Sequence, residues 1–302
     1  MLISKYFDLF DYPLTLEEAY KWYFNIGKNV LDIKILDIKT ELERLIQDKI
    51  IEEKDGYYFL AGRQNIIEIR KKREIISLKK ISKAQKIGKI LGTVPGVKMI
   101  AIVSNLGYLN AEDEADIDLF MVTAKNRIWS VRFWCVILMK LLRQRPNKKT
   151  AKNKICLSYF VTENNLNLEQ TALKGVDVHL IYLLSQYLLI YDEDNYWQKY
   201  VMANKWINKY LINFDYDETA TRFLIKLKTA WLKKMIGKTE FSFENGLYKN
   251  IQLAMMTGDL QRAMKVNDKK VIVNDQMLKL HTNDKRSEIN SSLRSAYEKI
   301  KV

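Results

Sequence analysis

The period of the apolar positions changes several times along the chain, and each change marks an element. Residues 2–10, LISKYFDLF, read as a short amphipathic helix that Tyr12-Pro13 breaks. Thr15 then caps TLEEAYKWYF, and Glu18, three residues on, completes a capping box. A third helix, about Ile35 to Asp48, sets Leu36, Ile38, Leu42, Leu45 and Ile46 on its inner face, and KIIEEKDGYYFLA follows as two short strands around Asp55-Gly56. Three helices and a hairpin form the winged-helix pattern. From Arg63 to about Leu91 no Pro and no Gly intervenes before Gly88, while Ile66, Ile69, Ile76, Ile87 and Ile90 recur at near-helical spacing, which predicts a long connecting helix.

Past Pro95-Gly96 the period becomes that of strands. VKMIAIV is an apolar, β-branched run that ends at Ser104-Asn105; ten residues later Asp116 to Val122 forms a second strand and Ile155 to Val161 a third. Between the last two a helix runs from about Asn126 to Leu142, with Trp129, Phe133, Val136 and Met139 expected in the core. From about Gly175 the pattern predicts helices only, around 180–191, 196–211, 219–236, 247–256 and 286–300. The organisation expected is a winged-helix domain at 1–62, a connecting helix at 63–94, an α/β domain at 95–174 and an all-α domain at 175–302, predominantly helical overall.

Composition narrows the class. The 302 residues are 48% apolar and 28% charged, enough to bury a core, and 11 Gly with 3 Pro argue against a turn-rich all-β protein. Cys135 and Cys156 are too few for a disulfide framework or a CxxC zinc site, and Asp8 and Asp11 interrupt the start before a secretory apolar region forms, so a cytoplasmic protein is expected. The longest apolar stretches, 128–142 and 178–191, fall short of the ~20 residues that span a bilayer, and no membrane partner is expected.

The net charge of +14 is unevenly spread: residues 1–62 carry 12 acidic against 8 basic side chains, whereas 63–98 carry 11 basic against 2 acidic. The run Arg70 to Arg73, continued by Lys79, Lys80, Lys83, Lys86 and Lys89, reads either as a solvated helix face or as a basic rail for nucleic acid. The first 62 residues have the wrong sign to hold DNA, and Asp37, Glu41, Glu43 and Asp48 on the third helix favour a protein-docking surface over a DNA reader.

Chemistry concentrates at the second strand of the α/β domain. Asp116 and Asp118 stand two residues apart on a strand and so point the same way, and two carboxylates so placed repel unless a cation lies between them. Hard divalent Mg²⁺, or Mn²⁺, takes oxygen ligands and bridges to phosphates. The stretch Ala101-Ile102-Val103-Ser104-Asn105-Leu106-Gly107, then Asn110 to Asp118, resembles the nucleotidyltransferase superfamily of polymerase-beta-like fold, whose motif is an apolar residue, Gly, Gly or Ser, then Asp-apolar-Asp/Glu. More narrowly, Phe10-Asp11-Tyr12-Pro13-Leu14-Thr15-Leu16 and the tail Met277 to His281 with Asp284-Lys285-Arg286 are similar to a bacterial and archaeal group that sets a winged helix ahead of the catalytic domain. The resemblance implies an α/β nucleotidyltransferase domain, Asp116 and Asp118 as catalytic metal ligands, Ser104 and Asn105 at the nucleotide phosphates, and an NTP as substrate.

Two departures accompany the match. Ser104-Asn105 stands where the superfamily has Gly-Ser, and the third strand, Ile155 to Val161, holds no acid where the superfamily places a third carboxylate; Ser158 occupies its central position and is expected to face the aspartates. The loop 143–154 has six Lys or Arg in twelve residues, among which Lys148, Lys149 and Lys152 can serve a triphosphate or an RNA acceptor or simply be solvated. Gly237-Lys238-Thr239 lacks the upstream glycine of a phosphate loop, and His179 and His281, isolated from any ligand cluster, are expected to be structural. Two functions follow: Mg²⁺-dependent transfer of a nucleotidyl group to an RNA or protein acceptor, or a non-catalytic regulator that keeps the fold and binds a nucleotide or nucleic acid.

Overall fold

A mixed six-stranded sheet divides the apolar residues into two cores. The structure, a computed structural model, describes residues 2–25, 32–146, 150–216, 218–226, 245–266, 269–282 and 284–298; Lys148, Lys149 and Gly237-Lys238-Thr239 lie outside them. The first part comprises α1 (Leu2–Asp8), α2 (Leu16–Lys21), α3 (Ile35–Gln47) and the hairpin β1 (Ile51–Lys54) and β2 (Tyr57–Leu60). Next come α4 (Ile66–Leu91), β3 (Val97–Ile102), β4 (Ile117–Thr123), α5 (Ile128–Leu141), β5 (Ile155–Thr162), α6 (Val178–Ser185), β6 (Leu188–Asp192) and α7 (Tyr196–Ala203). The chain closes with α8 (Glu218–Thr221), α9 (Asn245–Ala254), α10 (Gly258–Lys265), β7 (Val271–Val273), β8 (Met277–Leu280) and α11 (Arg286–Glu298).

The strand order is β6-β3-β4-β5-β8-β7, with β4 parallel to β5 and every other pair antiparallel. Ile100, Ile102, Ile117, Leu119, Leu157 and Ile190 face α4, α5 and α9 on one side. Met99, Ala101, Phe120, Val122, Tyr159 and Val161 face α1, α6, α7 and α11 on the other. Among the described residues no helix is long and apolar enough to cross a membrane.

Three strands of this sheet come from the region expected to be all helical. β6 continues directly from α6 as LLIYD, an unbroken apolar run whose period cannot separate helix from strand, and β7 and β8 are three and four residues long. The C-terminal region is therefore not all-α: it supplies one edge of the sheet through β7 and the other through β6.

Local signals in the first 62 residues are realised closely. Thr15 Oγ1 accepts from the Glu18 amide and Glu18 returns a carboxylate to the Thr15 amide, and Asp55 and Gly56 adopt φ of 55° and 78°, as a two-residue hairpin turn requires. Packing divides this segment, however. α2, α3 and β1 form a small cluster around Ala19, Ile38, Leu42, Leu45 and Ile51, whereas Leu2, Ile3, Tyr6, Phe7, Tyr12, Leu14, Trp22 and Phe24 join the core beneath the sheet, where Tyr6 stacks on Tyr182 at 4.2 Å. The core crosses the boundary drawn at residue 62.

The basic helix α4 turns much of its charge inward. Arg70 grips the Glu18 carboxylate at 2.6 and 2.8 Å with its guanidinium 4.1 Å from the Tyr12 ring centre, and Arg73 reaches the Phe10 carbonyl at 2.7 Å and Glu112 at 2.9 Å. Lys72, Lys79, Lys86 and Lys89 remain exposed.

Candidate functional site

The site forms where β3 ends beside the start of β4. The Val103 amide donates to the Asp118 carbonyl at 3.2 Å, so the turn at Ser104-Asn105 and the two aspartates become neighbours although ten residues separate them. Ser104 takes φ of 61°, the left-handed region that glycine adopts without cost. This is the position at which the superfamily's motif carries Gly. Gly107, three residues on, is required by close approach: a Cβ there would lie 2.0 Å from the Gln186 carbonyl oxygen.

The loop entering Asp116 is clamped from α4. Lys80, 2% exposed, donates to the carbonyls of Ala115 at 2.6 Å and Asp113 at 3.0 Å and to Asn153 Oδ1 at 2.7 Å, while Lys83 holds the Asn153 carbonyl at 2.6 Å. Two lysines of a run that reads as either a solvated face or a basic rail thus fix the loop that leads into Asp116. Burial lowers the pKa of both ammonium groups.

Ser104, Asn105, Asp116 and Asp118 line one cavity of about 330 Å³. Burial, and then the charge of Asp118, raises the Asp116 carboxyl to about 6. The third group of the site is Cys156. It pairs with Asp118 across the parallel β4–β5 ladder, and ligand atoms of Asp116, Asp118 and Cys156 all lie within 4.8 Å of one another. Ser158 stands one step behind this thiol: its hydroxyl accepts from Cys156 Sγ at 3.2 Å and meets His281 Nε2 at 2.7 Å. β5 is bulged, so that Asp118 opposes Cys156 but Phe120 opposes Tyr159, and Cys156 rather than Ser158 is the direct cross-strand neighbour of Asp118. Burial and the two carboxylates push the Cys156 thiol well up.

Residues set aside in the sequence also reach the cavity. β8 delivers His281, and α6 delivers His179, whose Nδ1 lies 2.9 Å from Tyr6 Oη and which burial lowers to about 4. No metal-ligand spacing marks either histidine; the signal available was the resemblance of the tail segment, which contains His281 and reaches the cavity together with Asp284, Lys285 and Arg286. Behind them a buried ionic network closes the wall. Arg286 bonds Asp177 at 3.1 Å and Asp284 at 2.8 Å, and Lys279 bonds Asp284 at 2.7 Å. Burial alone would raise Asp284, but Lys279 and Arg286 hold it at about 2. Lys285, exposed, stands at the rim.

Lys152 is not brought to the cavity; it pairs with Asp113 at 2.6 Å and Glu114 at 2.8 Å. The carboxylate pair suits a divalent cation, whereas the third donor is a thiol and not the carboxylate of the superfamily's site. Comparison with protein-family models, curated proteins and solved structures finds no match to the chain.

Proposed function

We propose that the protein is a nucleotidyltransferase that holds a nucleoside triphosphate through a divalent cation at Asp116 and Asp118. One observation carries the reading: the ends of β3 and β4 bring a left-handed turn and two carboxylates to one wall of a single cavity. The sequence resemblance implies Mg²⁺ or Mn²⁺, and such a cation, when bound, supplies charge neutralisation at the phosphates. Ser104 and Asn105 lie where the phosphates would approach, and Lys285 adds positive charge at the rim. In the transfer the acceptor hydroxyl oxygen bonds to the α-phosphorus, the bond from that phosphorus to the bridging oxygen breaks, and pyrophosphate leaves with the electron pair. The hydroxyl proton passes to a base on the cavity wall, for which His281, held by Ser158, is the candidate. The outward lysines of α4 suit an acceptor rich in phosphate, such as RNA; a protein acceptor is the alternative.

The thiol at the third ligand position favours a second reading, a nucleotide-binding regulator without turnover. Incubation with each labelled NTP, Mg²⁺ or Mn²⁺, and cellular RNA and protein separates the two. Covalent label that disappears in Asp116→Ala and Asp118→Asn supports transfer; label that binds but never becomes covalent supports the regulator; label that survives both substitutions refutes the assignment of the site.

A further inference from the structure

The geometry points to Cys156 as a metal ligand, so that the site selects a thiophilic divalent ion of the Zn²⁺ class over Mg²⁺. The inference rests on the metal reading of the Asp116–Asp118 site and deepens it. Two hard oxygen donors leave the choice among Mg²⁺, Mn²⁺ and Zn²⁺ open, and the third donor decides it, because thiolate sulfur favours Zn²⁺ strongly and Mg²⁺ hardly at all.

Three observations place the sulfur in the donor set. First, the β4–β5 register sets Cys156 directly beside Asp118, and the three ligand atoms already lie within 4.8 Å of one another. Metal–ligand lengths of about 2.3 Å to sulfur and 2.0–2.2 Å to oxygen put tetrahedral donors on the order of 3.5 Å apart, a contraction that side-chain rotation accomplishes. Second, the sulfur is oriented from behind: Cys156 Sγ donates to Ser158 Oγ, which meets His281 Nε2, the kind of outer hydrogen-bond chain that fixes a ligand's direction. On binding, the thiol proton leaves, with the Ser158 hydroxyl and His281 as its path, and the sulfur keeps the electron pair that forms the bond to the ion. Third, Asp116 and Asp118 line the cavity, so that three protein donors leave a coordination position open toward it, the arrangement of a catalytic rather than a structural zinc site. Cys135, by contrast, is wholly buried in the apolar core on the α5 side of the sheet.

The test uses the full-length protein, stripped of metal and titrated with Co²⁺, with Cd²⁺ as a second probe. A sulfur-to-cobalt charge-transfer band in the near ultraviolet should grow to one ion per chain, and Zn²⁺ should abolish it while even ~100-fold excess Mg²⁺ should not. Cys156→Ser should lose the band while keeping its circular dichroism and thermal transition. Cys156→Asp, which rebuilds a three-carboxylate set, should exchange its preference, weakening Cd²⁺ and strengthening Mg²⁺ by about tenfold each. Co²⁺ bound by equilibrium dialysis without the band, a band unchanged in Cys156→Ser, or ready displacement by Mg²⁺ would overturn the inference. A band without nucleotide incorporation would leave it standing and refute transfer; incorporation with Mg²⁺ and no band would do the reverse; absence of any bound metal would remove both.

Discussion

Replacing Asp116 by Asn tests whether the site is built at the expense of stability. The carboxyl rises from 3.8 to about 6 in the folded protein, first through burial and then through Asp118. At ~1.36 kcal/mol per unit the ceiling is about 3 kcal/mol, and because the side chain is only half-buried, solvent screening reduces this to about 1–1.5 kcal/mol. The sign follows from which state keeps its proton longer. Between roughly pH 4 and 6 the unfolded chain has ionised Asp116 while the folded chain has not, so stability falls as pH rises through that window and the penalty is fully present above it. Asn has nearly the same shape and carries no charge, keeping one acceptor oxygen and placing a donating amide where the second carboxylate oxygen stood. In EDTA, Asp116→Asn should therefore unfold at higher urea than wild type at about pH 8, by ~1–1.5 kcal/mol, and match it near pH 4. With divalent metal the order should reverse, since wild type alone gains RT ln(1 + [L]/Kd), about 2.7 kcal/mol at a hundredfold excess over Kd. A variant less stable than wild type at pH 8 without metal, or a difference independent of pH, would refute the reasoning.

Four substitutions and one fragment test the supports of the site and of the fold around it. Lys80→Met removes a buried donor from the Asp113 and Ala115 carbonyls and from Asn153 Oδ1 and should lower urea stability by ~2–4 kcal/mol, while the Asp116 carboxyl, relieved of a cation, should titrate higher by NMR. Ser104→Gly should leave the thermal midpoint close to wild type, the relieved left-handed strain offsetting the entropy glycine adds to the unfolded chain, whereas β-branched Ser104→Val should cost about 1–2 kcal/mol. Gly107→Ala forces a Cβ into the Gln186 carbonyl and should destabilise by about 3 kcal/mol, read in the same melts. A fragment of residues 1–62 should show no cooperative thermal transition, because Tyr6, Phe7 and Phe24 pack against Tyr182 of α6 and against Tyr210, which the fragment lacks.

What the sequence made legible was local, and the reason is physical. A capping box, a two-residue turn and an Asp-Ile-Asp strand each act within a few residues, so Thr15 with Glu18, Asp55-Gly56 and the shared side of Asp116 and Asp118 could be written down from spacing alone. The parts that failed depend on a partner far along the chain. Lys80 was indistinguishable from the solvated lysines around it until Asn153 and Ala115 were set against it, and the apolar run of β6 declares itself a strand only by pairing with β3. Cys156 and Ser158 show the limit most sharply: alternation gives a residue's face but not its cross-strand partner, and only the β4–β5 register sets Cys156 opposite Asp118, with Ser158 bonded to it and to His281. Once the ladder is in register, a sulfur stands beside the two carboxylates, and under the metal reading proposed for this site that third donor would decide which ion is held.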